Sequence, residues 1–171
     1  MEYLSTRDKT LRKSAAQAIT MGLSRDGGLF TPVTFPSLSA LEVETLCGMP
    51  YRKRAAYVMG KFLEEFRPEE LNLFAKNAYG PDRFDHPDVA PLHKMDKRTW
   101  CLELWHGPTS AFKDMALQML PQLLSAALRD SGCFPLYVCG LVEVGERTGR
   151  TEEALAALSR YYEDRVRMAH R

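Results

Sequence analysis

The chain lacks a surplus of either charge: 23 Lys and Arg face 22 Asp and Glu, for a formal net charge of +1. No basic surface therefore advertises nucleic acid or an anionic membrane as a partner. A long apolar run is missing too. The longest, around Phe134 to Val144, is roughly half of the ~20 residues that cross a bilayer, so no membrane span is expected. The N-terminus, MEYLSTRDKTLRKS, is charged and has no apolar centre, which excludes a signal peptide. Cys47, Cys101, Cys133 and Cys139 contain no C-x-x-C pair. Reduced thiols in a cytoplasmic protein are the expectation. His86, His93, His106 and His170 fall at no metal-ligand spacing with one another or with those cysteines, so no metal is expected. Internal repeats and low-complexity tracts are absent.

What is present suits an ordinary globular chain. Of its 171 residues 45% are hydrophobic and 26% charged, enough to bury a core and too little polarity for wholesale disorder. Apolar spacing predicts a helix over 11–23, followed by a tight turn at Asp26-Gly27-Gly28 and an extended Leu29-Phe30-Thr31 stopped by Pro32. Ser37 or Ser39 is placed to cap a helix through Cys47, with Leu38, Leu41 and Leu46 inward. Helices follow over Tyr51 to Phe66 and from Pro68 to about Tyr79; proline and two acids suit the first turn of the second. Residues 82–96, rich in Pro, Asp and His, read as a surface connection, and Thr99 to Leu104 as the best strand, with Cys101 a small buried residue in it.

Beyond that strand, LELWHGPTSAFKDMA (Leu102 to Ala116) passes through a Gly-Pro loop into an amphipathic helix that Pro121 should bend. Lys113 opens this helix. The positive end of the helix dipole disfavours an ammonium group there and favours the neutral amine that Schiff-base chemistry with a carbonyl cofactor requires. Outside such a context a lysine at a helix start is a solvated charge. After residue 129 the character changes: a short helix over Leu136 to Glu146, a turn at Thr148-Gly149, and a final helix capped by Thr151. Leu155, Leu158, Tyr162 and Val166 form the apolar stripe of that last helix.

Three stretches carry a resemblance: Tyr3-Leu4-Ser5-Thr6-Arg7, Gly22 to Phe30 (GLSRDGGLF), and LELWHGPTSAFKDMALQMLP. On them, residues 1 to about 128 resemble the N-terminal part of threonine synthase, particularly the clostridial kind. The resemblance implies a truncated fold type II PLP-enzyme part, mostly helical α/β, with pyridoxal 5'-phosphate (PLP) held by Lys113 through an imine. It further implies a small-molecule substrate, O-phospho-L-homoserine, converted to L-threonine by a lyase of threonine biosynthesis. His106, Thr109 and Ser110, just before Lys113, are candidates to contact cofactor or substrate, and Asp114 to cap the helix or orient the lysine. His106 serves equally well by satisfying a loop backbone. No Gly-rich phosphate cradle appears after Lys113. Residues 134–168, with GLVEVGERTGRTEEALAALSRYYEDRV, instead resemble the end of a helical domain in the type II secretion F / type IV pilus PilC family. The expected domains are therefore 1–130 and a helical hairpin over 131–171. The alternative function is a non-catalytic fusion or interaction module. An exposed sheet edge makes self-association plausible, with the oligomeric state left open.

Overall fold

The computed structural model describes residues 1–132, 135–148 and 150–169. Cys133, Phe134, Gly149 and His170 lie outside the described residues, as do the side chains of Thr151 and Glu152. Two compact units are present, Met1–Leu123 and Leu124–Arg171.

The first unit begins with three short strands, β1 (Glu2–Ser5), β2 (Arg12–Ser14) and β3 (Phe30–Pro32), in the order β2-β1-β3. Both pairings are antiparallel, with Tyr3 opposite Lys13 on one side and Pro32 on the other. The helix expected over 11–23 is thus a strand at its start. A capping box sets where α1 (Ala15–Met21) begins: Ser14 Oγ accepts from the Gln17 amide, and the Gln17 side chain accepts from the Ser14 amide. The Asp26 turn is the tight turn that the glycines predict. Gly27 has φ +74°, and a Cβ on Gly28 would stand 2.2 Å from Ser5 Oγ. Ser5 Oγ in turn donates to the Asp26 carboxylate at 2.9 Å. The Gly28 amide and neighbouring hydroxyls hold that carboxyl below the usual range.

Ser39 caps α2 (Ala40–Cys47) in a second capping box with Glu42. This helix buries Leu46 alone; Leu38 and Leu41, expected inward, are exposed. The helical pair α3 (Tyr51–Phe62) and α4 (Pro68–Ala78) forms the body of the unit. α3 stops four residues short of Phe66: Leu63, at its end, leaves the helical conformation with φ −113° and ψ 56°, and the chain turns. Phe66 is still buried, edge-on to Phe74 at 6.4 Å. Pro68 opens α4 with Glu69 and Glu70 behind it, and Leu71, Phe74, Ala75 and Ala78 point into the core. Tyr3 donates its hydroxyl to Phe62 O at 2.8 Å, tying the small sheet to the end of α3.

The connection over 82–96 is more structured than its composition suggests. Phe84 and Val89 are buried in it, and β4 (Leu92–Lys94) pairs antiparallel with β5 (Trp100–Leu102), a shorter strand than expected. Cys101 is half-buried there. The long Lys113 helix is in fact two: α5 (Asp114–Leu117) and α6 (Leu120–Asp130). Pro121 is the reason, since its missing N–H and its ring are tolerated in a first turn and not in a helix interior. Proline here starts a helix rather than bending one, and Phe112, ahead of it, is exposed.

The second unit holds the rest of α6 with α7 (Leu136–Thr148) and α8 (Thr151–Ala169). Val138, Val142 and Leu158 form its core, with Leu128 and Tyr162 packed on the edge. Leu155 and Val166, expected on the stripe, are exposed. Among the described residues no helix is long and apolar enough to cross a membrane.

Candidate functional site

Lys113 stands at the end of a tight turn, immediately before α5. The turn is organised by Asp114, whose side chain is 1% exposed. Its carboxylate accepts from the Thr109 amide at 2.8 Å and from Thr109 Oγ1 at 2.9 and 3.0 Å. Gly107 lies so close that a Cβ there would meet Asp114 Cβ at 2.5 Å. Ser110, exposed at the crest, adopts φ +53°, a left-handed conformation uncommon outside glycine. Tyr79, at the end of α4, donates its hydroxyl to Met115 O at 2.8 Å and so pins α5 from below. Burial pushes the Tyr79 phenol well up, which keeps it a donor. Of the two roles open to Asp114, the geometry shows the first: it closes the turn ahead of the helix.

His106 enters the same turn from the other side. Its Nδ1 lies 2.6 Å from Asp85 Oδ1 and its Nε2 2.8 Å from Glu103 Oε2. The Asp85 amide also donates to His106 O at 3.1 Å. Hydrogen bonding to Glu103 first, then to Asp85, raises the imidazole above its ordinary value and favours the cation. His106 is therefore a clamp between the 82–91 connection and the start of the Lys113 turn, with both ring nitrogens engaged.

The turn brings His106, Thr109, Ser110 and Lys113 into one short loop, but with different freedom. Thr109 and His106 spend their polar atoms on protein partners, whereas Ser110 and Lys113 are exposed. The helix that follows Lys113 has four residues, too few for the aligned dipole that the uninterrupted pattern promised. The described residues carry several clefts, three of which are well formed. One of about 600 Å³ lies between α3 and α4, one of about 370 Å³ is lined by Tyr51, Tyr79, Phe84 and His86, and one of about 460 Å³ lies on α8. Lys113 lines none of them.

Comparison with known proteins gives the family. Residues 2–79 match the family described as threonine synthase N terminus. A threonine synthase of Pseudomonas aeruginosa is 37% identical over 133 residues, covering 77% of this chain and 28% of that protein. The crystal structure of PLP-bound threonine synthase from Brucella melitensis matches with a TM-score of 0.72 at 36% identity, over 77% of this chain and 28% of that one. The N-terminal part of this chain is threonine synthase-like. A yeast threonine synthase structure agrees, with a TM-score of 0.70 and 34% identity over 78% of this chain. The chain spans only about 28% of the length of these relatives. Residues 108–171 match a second family, type II secretion system protein F, and that match starts ahead of Lys113 rather than at residue 134.

Sequence reasoning missed the partners that hold the Lys113 turn. Asp85, Glu103 and Tyr79 lie 21, 3 and 36 residues from the groups they bind, and only the i,i+3 spacing of Glu103 and His106 left a local signal. Nothing in the sequence marked the cleft between α3 and α4.

Proposed function

We propose that this chain carries the PLP lysine of a threonine synthase-type site, Lys113, and that the reaction it serves is conversion of O-phospho-L-homoserine to L-threonine by phosphate elimination and hydration. The observation that carries this reading is the exposed Lys113 on a turn fixed by the buried Asp114 carboxylate, in a chain similar to a PLP-bound threonine synthase. The donor suits the cofactor. A primary amine, reachable from solvent and held on a rigid mount, matches an aldehyde in both chemistry and access. PLP, when bound, supplies that aldehyde and a ring that draws electrons from the substrate carbons.

The rest is the work of this chain's own residues. Lys113 Nζ would hold the cofactor and would take and return protons at the substrate carbons. Thr109 and Asp114 keep the lysine's backbone in place, and His106 anchors the loop ahead of it. Ser110, exposed beside the lysine, is the loop's free hydroxyl for substrate.

A second reading has its own support. Lys113 lines none of those three clefts, and residues 108–171 match a secretion-system family. On that reading the chain is a non-catalytic fusion or interaction module, with 1–130 a threonine synthase-derived part and 131–171 a helical hairpin. Visible absorbance during titration with PLP separates the two. Imine formation that saturates, and that disappears in Lys113→Ala but not in Lys94→Ala, supports the first. Equal, unsaturable absorbance in all three proteins supports the second.

A further inference from the structure

The cleft between α3 and α4 holds a charge that the threonine synthase-like reading does not use. We propose that it binds a small amphiphilic carboxylate, an apolar body with one anionic end, seated with its carboxylate on Lys53. Its volume, about 600 Å³, falls in the ~300–1,000 Å³ range of small-molecule pockets. The floor is apolar and fixed: Ala56, Phe66 and Leu71 are buried core residues that line it. Gly60 adds a stretch of wall with no side chain, where a Cβ would meet only Leu71 Cδ1, at 3.6 Å.

The charged groups at the mouth are unequal. Lys61 is paired with Glu42, which also accepts from the Tyr57 hydroxyl. Glu64 is paired with the Met1 amine. Lys53 Nζ instead donates to the neutral Asn72 Oδ1 at 2.9 Å, and among the described residues no carboxylate pairs with it. Asn72 is itself oriented, because its Nδ2 donates to Pro68 O at 2.7 Å, so its oxygen faces the lysine. A ligand carboxylate at that point replaces a neutral acceptor with a charged one, in a bond roughly twice as strong. The apolar body of the same ligand then covers the floor. A cationic amphiphile gains the second contact and is repelled at the first.

The full-length chain, titrated with octanoate, 1-octanol and octylamine and followed by amide NMR shifts, tests this. Octanoate should bind at least tenfold more tightly than octanol, with octylamine weakest and the largest shifts at Ala56 and Gly60. Lys53→Met keeps the apolar stem and should reduce octanoate to the affinity of octanol while leaving octanol unchanged. Gly60→Leu, whose side chain enters the cleft from a helix, should abolish both with the circular dichroism of the folded chain retained. Equal affinity for octanoate and octanol, unchanged octanoate binding in Lys53→Met, shifts centred elsewhere, or no octanoate binding would each overturn the proposal.

Discussion

Replacing Gly107 by alanine sets a methyl group 2.5 Å from Asp114 Cβ, 2.7 Å from its Oδ2 and 2.9 Å from its Cγ. None of these atoms is the far end of a flexible side chain, since Asp114 is 1% exposed and held by Thr109. Either the turn moves as a body or Asp114 swings out. Overpacking of a fixed site costs ~1–3 kcal/mol, and losing the charge-assisted bonds from Thr109 costs ~1.5–3 kcal/mol. The chain takes the cheaper route, so Gly107→Ala should destabilise the first unit by about 2 kcal/mol. With a urea dependence of ~2 kcal/mol per molar, the midpoint should fall by about 1 M. Gly60→Ala is the control of opposite sign. Its Cβ meets an ordinary 3.6 Å contact inside α3, and helix propensity predicts a gain of ~0.5–1 kcal/mol. If Gly107→Ala unfolds within about 0.3 M of the parent protein, the turn is not packed as described.

Two further outcomes follow from the same structure. Val142 is fully buried in the second unit, so Val142→Ala should cost about 2 kcal/mol and speed amide exchange in α7 and α8 roughly 30-fold; unchanged exchange would show that this core does not hold the unit. The His106 imidazole is raised in the folded state by Glu103 and Asp85, so its contribution is fully present below its unfolded pKa, about 6.5, and is lost as pH rises through the folded value. Relative to His106→Gln, the parent protein should lose stability from about pH 6.5 upward, and parallel pH profiles would contradict the clamp.

The parts of the fold legible in the sequence are those with local causes. Ser37 or Ser39, and Pro68 with Glu69 and Glu70, mark helix starts through side chains within one turn; α2 begins after Ser39 and α4 at Pro68. The Asp26-Gly27-Gly28 turn was readable because positive φ and close approach both demand glycine. The Lys113 segment stands out through its resemblance, and the threonine synthase relatives support the family of the chain's N-terminal part. What stayed hidden has distant causes. β1 and β2 are four and three residues long, too short for alternation to register. Ser5 reaches Asp26 across 21 residues. Pro121 reads as a helix-interior residue because the apolar spacing of Met115, Met119 and Leu123 runs through it, while the backbone breaks just ahead of it. Leu41 and Phe112 fit helical stripes yet are exposed, since periodicity names a face without naming anything to cover it.

The chain has eight lysines, and PLP meets all of them in solution. The decisive measurement is a peptide map after limiting PLP and borohydride reduction, scored lysine by lysine. Most of the pyridoxyl label should sit on Lys113 and should fall when Gly107→Ala displaces its turn. Label spread over Lys9, Lys94, Lys97 and the others as exposure alone dictates would show that Lys113 has no special claim on the cofactor.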